Sequence, residues 1–275
     1  MSAFVQSLVP LRAALRREAP FVALWIALAF AFGFGAVVAY EPFREAAGLR
    51  RLIGELPVSV TAFLGLVDIG ARARFLEAML FGLLAPIGFL SFSIGVGTRA
   101  GVPAHGPTPS MSAGLDSDGD ANLAAGVGGL AVGNVLLGFA MVLGVLVAGV
   151  LTRLAVPIGH LVSAVAADVA LGFTFGVLGL LLAHRTGRIG FAALAATVIA
   201  LAADTLNGIA PAVPAVGVVR YVSLVYYAEG GHPWSQGITI GHLAVLAAAA
   251  AGIIGLAWLA GRRQVGPTSG LAPQP

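Results

Sequence analysis

The chain has 275 residues and a formal charge of +3; 59% of its residues are hydrophobic and only 10% charged, with a mean hydropathy of +0.97. These values lie far from soluble-domain averages and leave no basic patch for nucleic acid. Cysteine is absent, which excludes disulfides and thiolate metal sites, and all 15 basic residues are arginine. Without lysine no Walker A loop can exist, so any ATP that drives this protein binds to another chain.

The stretch 1–20 is predicted to be an interfacial amphipathic helix, with Leu8, Leu11 and Leu15 at helical spacing and Arg12, Arg16 and Arg17 supplying charge. Six apolar runs follow: Phe21–Tyr40, Leu76–Thr98, Leu123–Leu151, Leu161–Ala183, Ile189–Ala210 and Gly241–Ala260. A hydrocarbon core ~30 Å thick needs about 20 residues of helix, and these runs lack the period-2 alternation of a barrel. The expected fold is therefore an all-α integral membrane protein with six transmembrane helices in a single domain, 21–263. Gly129/Gly133 and Gly172/Gly176 follow the small-xxx-small spacing that lets membrane helices approach closely, and packing within one bundle is the expected use of both.

Between the first two runs lies a long segment, 41–75, with Arg44, Arg50, Arg51, Arg72 and Arg74 among Glu41, Glu45, Glu55 and Asp68. The stretch 99–122 reads as a flexible linker rich in proline, glycine and serine, closing on Asp116, Asp118 and Asp120. Those aspartates superficially match a calcium loop, but Ala121 stands where the loop's glycine belongs and Val127 where its glutamate does, so a solvated acidic loop is expected. The end, 264–275, has the composition of a disordered tail.

Arginines divide eight against seven between the two sides, with five of the seven in 41–75. The tight 184–188 turn and Arg262-Arg263 then favour a cytoplasmic location for both termini and for 99–122. Two carboxylates fall deep inside spans, Asp168 and Asp204, and Asn207 follows Asp204 at i+3 on the same helical face. If the fourth and fifth spans pack as a hairpin about 184–188, these three groups share one depth, as a translocation-pathway lining or as interhelical polar contacts. No catalytic serine motif and no metal-ligand spacing occurs, so neither an enzyme nor a metal protein is expected.

The last third carries Asp204-Thr-Leu-Asn207-Gly208-Ile-Ala-Pro211, then Arg220-Tyr-Val-Ser223-Leu-Val-Tyr226-Tyr227, then Gly230-Gly231-His232-Pro233 before a final helix closing on Arg262-Arg263. Together with Tyr40-Glu-Pro42, Glu55-Leu-Pro57, Phe63-Leu-Gly65 and Phe81 to Pro86, these stretches resemble the permease subunits of ABC-2 type ABC transporters. The resemblance covers nearly the whole chain. It implies a multi-pass permease of the plasma (inner) membrane, an exporter, pairing as two like or unlike copies with a separate ABC ATPase that holds ATP and magnesium. Family members follow the second span with glutamates and Gly-Thr that contact the ATPase. Here Gly97-Thr98-Arg99 precedes the proline-rich linker, so any coupling contact falls to Arg99, Asp116, Asp118 and Asp120. The alternatives are an ion- or proton-coupled transporter working through Asp168 and Asp204, and a membrane assembly subunit with no transport of its own.

Overall fold

The computed structural model describes residues 2–57, 60–61, 75–102, 115–210, 217–237 and 239–262. Among them the chain is helical, without a strand. Helix α1 spans Ser2–Glu45 and α2 spans Ala47–Gly54. A π-helical segment, Glu77–Leu84, leads directly into α3, Ala85–Ala100; α4 spans Leu115–Leu151, α5 Ile158–Thr186 and α6 Ile189–Ile209. A 3-10 turn, Val219–Val222, precedes two short helices, α7 (Leu224–Glu229) and α8 (Pro233–Gln236), and α9 closes the described chain at Ile240–Arg262.

Four stretches are long and apolar enough to cross a membrane: Ala19–Tyr40 of α1, Leu123–Leu151, Ile158–Thr186 and Ile189–Ile209. The other two expected spans are helical but differ from that standard. The second is wound as a π-helix in its first eight residues, and the apolar part of the sixth, Ile240–Leu256, is shorter. The stretch 1–20 is no separate element, because its backbone from Ser2 onward runs without a break into the first span. Its amphipathic side chains before Glu18, the tail 264–275, linker residues 103–114 and residues 62–74 lie outside the described residues. The acidic end of the linker is helix, since α4 begins at Leu115.

Helix α5 is the hub. It packs against α3, α4, α6 and α9, and the short α7 and α8 fold back onto it. Its far end closes at Gly187, whose left-handed φ of 64° lets the backbone N–H return to the Ala183 carbonyl at 2.8 Å. That turn sends α6 back alongside α5, as the sequence spacing predicts. The contact of α3 with α5 is backbone on backbone. A Cβ on Gly97 would strike the Gly176 carbonyl, and one on Gly176 would come 2.9 Å from the Ser93 carbonyl. A Cβ on Gly172 would meet the Phe89 carbonyl at 3.0 Å, so the Gly172/Gly176 pair serves packing within the bundle. Gly133 makes room for the Phe92 ring, whereas Gly129 faces open space.

A second seam joins α1 to α4. A Cβ on Gly144 would strike the Phe30 carbonyl, and one on Gly33 would lie 2.6 Å from the Met141 carbonyl. Buried Phe89, Phe92, Leu130, Leu137 and Val145 fill the space between the seams.

Candidate functional site

Two groups of polar residues bear on the site. The first is inside the bundle. Ser93 Oγ on α3 donates to Asn134 Oδ1 on α4 at 2.8 Å, and Asn134 Nδ2 donates to the Leu130 carbonyl at 2.9 Å. Both side chains are fully buried, and their partners satisfy them, as membrane interiors require. Asn134 also borders an apolar groove of about 720 Å³ between α4 and α5, whose rim includes Phe139 and Val135.

The second place is the return between α6 and α9, where the Ser223-x-x-Tyr226-Tyr227 stretch folds. Buried Ser223 precedes α7, and its hydroxyl donates to the Ala203 carbonyl on α6 at 2.8 Å instead of capping its own helix. Tyr227 donates its hydroxyl to the Tyr221 carbonyl at 2.9 Å. Tyr226 packs edge to face against Tyr221 and Tyr227, with centroids 4.9 and 5.3 Å apart. His242 of α9 lies against both Tyr226 and Tyr227, at 5.7 and 5.5 Å. Arg220 Nη2 donates to the Tyr221 hydroxyl at 3.0 Å, and its guanidinium sits 5.0 and 5.1 Å from the centroids of Tyr221 and Tyr226. That hydrogen bond holds Tyr221 below the usual phenol range, because a cation stabilises the phenolate.

Glu229 is the last residue of α7. Asn207 Nδ2 on α6 donates to Glu229 Oε2 in a long hydrogen bond of 3.5 Å. The carboxyl is near enough to interact electrostatically with Asp204 on α6 and Asp168 on α5. Glu229 is outside the membrane-spanning stretches. Burial, and after it the neighbouring Asp204 charge, pushes its carboxyl from 4.5 up to about 8. Asp168 is 3% exposed, and its Oδ2 is buried with no hydrogen-bond partner. Asp204 occupies an exposed position on α6.

Of the three residues singled out in the sequence, Asn207 bonds to a fourth, Glu229; Glu229 feels the charge of Asp204, and Asp168 feels that of Glu229. Sequence reasoning missed Glu229, whose one signal is that it is the only acid in the stretch between Asp204 and the chain end. Next to this group, α8 is clasped to the π segment. Glu77 Oε1 lies 3.4 Å from His232 Nδ1 and accepts from Ser235 Oγ at 3.4 Å, while Phe81 and Trp234 stack at 5.0 Å.

Of the expected coupling residues, Arg99 closes α3 with its guanidinium 3.9 Å from the centroid of Phe21 on α1. The side chains of Asp116, Asp118 and Asp120 lie outside the described residues. Among the described residues, no three His, Asp or Glu side chains are grouped so as to hold a metal ion. No family model matches the chain, and neither a curated protein nor a solved structure matches it.

Proposed function

We propose that this chain is the transmembrane permease subunit of an ABC transporter, an exporter in which two such subunits, alike or different, work with separate ATPase chains. The observation that carries the proposal is the return between α6 and α9. The residues on which the resemblance rests, Ser223, Tyr226 and Tyr227, anchor a short helix that folds back onto α5, α6 and α9. The absence of lysine agrees with a nucleotide site on another chain. In this proposal the segments 77–100 and 240–262 complete six spans, both termini and the 99–122 stretch face the cytoplasm, and 41–75 and 211–240 face outward.

Coexpression with a candidate ATPase chain tests the proposal: a stable complex with substrate-stimulated ATP hydrolysis is expected, and a permease that binds no ATPase counts against it. Orientation is tested against a background free of cysteine. A cysteine at Ser117 should resist an impermeant thiol reagent in intact cells while one at Ser235 reacts; the reverse pattern would refute the topology.

A second reading, an ion- or proton-coupled transporter working through Asp168 and Asp204, is favoured by the buried, unpartnered Asp168 Oδ2. Uptake driven by a pH gradient without ATP, and lost in Asp168→Asn, would select it.

A further inference from the structure

Helix α6 gives a ruler for depth. Its 21 residues, Ile189–Ile209, come to about 31 Å at ~1.5 Å per residue, which matches a hydrocarbon core ~30 Å thick, so its ends mark the two faces of the bilayer. The Ser223 hydroxyl donates to the Ala203 carbonyl at 2.8 Å. Ala203 lies six residues, about 9 Å, inside the end of α6 at Ile209. At the other end of α7, Glu229 Oε2 accepts from Asn207 Nδ2 at 3.5 Å, only two residues from the end of α6. The return therefore enters the membrane as far as Ser223 and climbs back out along α7.

The 3-10 turn just before Ser223 has the construction that hydrocarbon requires. Val218 and Val222 are 75% and 81% exposed, and Val219 and Tyr221 are exposed beside them. The backbone is closed on itself: the Tyr221 N–H donates to the Val218 carbonyl at 3.3 Å, and the Ser223 N–H to the Arg220 carbonyl at 2.9 Å. The Tyr227 hydroxyl donates to the Tyr221 carbonyl at 2.9 Å. Lipid tails offer no hydrogen bonds, so apolar side chains outside and satisfied carbonyls inside suit that depth. Arg220 is the one charged residue between Asp204 and Glu229. Its guanidinium is held by Tyr221 and Tyr226, and among the described residues no carboxylate pairs with it. A 3-10 rise of ~2.0 Å per residue lets Arg220, three residues before Ser223, stand up to about 6 Å nearer the surface, from where a long side chain snorkels to the headgroups.

We propose that residues 218–222 form a lipid-docking turn, with Val218 and Val222 inserted among the acyl chains and the Arg220 guanidinium on a phospholipid phosphate. The ~9 Å depth agrees with the ~5–10 Å at which interfacial segments bury their apolar side chains. The phosphate supplies the anion that Arg220 lacks, in a charge-assisted hydrogen bond. Leu201, Leu206 and Ile209, on the stretch of α6 at this depth, are exposed as well, so the valines extend an apolar surface that the spanning helix already presents to lipid. The turn depends on α6 crossing the bilayer and not on the side its termini face or on any ATPase, so it stands apart from the permease assignment.

The chain has no cysteine, so a nitroxide label can be placed at one chosen position. Val222→Cys and Val218→Cys, labelled in the full chain and returned to phospholipid vesicles, are compared with Ser235→Cys. The reading is collision with oxygen, which concentrates in hydrocarbon, and with a neutral water-soluble nickel chelate. The oxygen-to-nickel ratio at 222 and 218 should be severalfold that at 235, and two exposed positions keep the test open where one variant does not fold. Nickel accessibility at both valines equal to that at 235 would overturn the proposal by placing the turn in water. Low accessibility to both reagents would overturn it by placing a protein surface there. Arg220→Glu should raise nickel accessibility at 222 in vesicles and leave it unchanged in maltoside micelles, which hold no phosphate. A rise of equal size in both would overturn the phosphate contact.

Discussion

Two stretches of α5 separated by a single turn are built in opposite ways. From Gly172 to Gly176 the helix presents bare backbone to α3, and the contact is so close that a methyl group on either side collides with a carbonyl. One turn earlier, Asp168 places a carboxyl in a buried setting and leaves one of its oxygens unfilled. In the first stretch every contact is made, and no alternative arrangement of the same helices is available without separating them. In the second, a buried oxygen is left without a partner. One helix thus carries both a backbone contact that admits no side chain and, a turn away, a buried polar atom that its surroundings leave unfilled.

The sharpest way to break this contrast is to fill the seam. Gly97→Leu is expected to cost at least the upper end of the ~1–3 kcal/mol typical of overpacking, because the obstacle is the Gly176 backbone rather than a movable side chain. Thermal unfolding in detergent should show a large loss, while Gly129→Leu, which faces open space, should melt near the wild type. Equal melting of the two variants would mean that the seam is not closed.

The acidic neighbourhood predicts a pH dependence whose sign follows from linkage. The Glu229 carboxyl is raised from 4.5 to about 8, so the folded state holds a proton that the unfolded state has released. Stability from this group is complete below 4.5 and declines as pH rises towards 8, by at most ~1.4 kcal/mol for each pH unit in the window. Melting temperature should fall across that range, and Glu229→Gln should flatten the fall. A melting curve independent of pH would contradict the burial of the group.

Smaller effects sharpen the boundary between the two regions. Ser223→Ala removes a buried hydrogen bond that ties the return segment to α6, and a loss of ~1 kcal/mol is expected in the same melting assay. Glu77→Gln weakens the clasp to His232, which is more than half exposed, so ~0–1 kcal/mol is expected. The Phe81–Trp234 stack should keep α8 in place in that variant, readable as unchanged tryptophan emission. A clear blue or red shift would show that the Glu77–His232 contact, and not the stack, holds the clasp.

Much of this arrangement was legible in the residues. Apolar run length gives the long helices, and the glycine in His184–Arg188 gives the turn that pairs α5 with α6. The Gly172/Gly176 spacing gives the contact with α3. Three features were not legible, each for a physical reason. The π winding at Glu77–Leu84 leaves composition and mean apolarity unchanged, so a search for apolar runs cannot see it. Gly33 and Gly144 sit on different helices, and nothing in local spacing pairs residues so far apart. Glu229 stands outside every apolar run and meets Asn207 only because the chain doubles back over 22 residues. Asp168, Asp204 and Asn207 are conspicuous as polar groups in apolar runs, whereas Glu229, which bonds to Asn207, sits in polar company.

The π segment also has a genetic consequence. A π turn holds one residue more than the α turn it replaces, so the surplus is carried within Glu77–Leu84 rather than passed on to the helix that follows. Deleting a single codon there would let the winding close to an α-helix, with Phe89, Ser93 and Gly97 keeping their faces towards α5. The same deletion a few residues later, inside Ala85–Ala100, would turn every following side chain by about 100° and destroy the glycine seam. Within this helix, tolerance of codon loss should therefore be confined to the eight residues before Ala85.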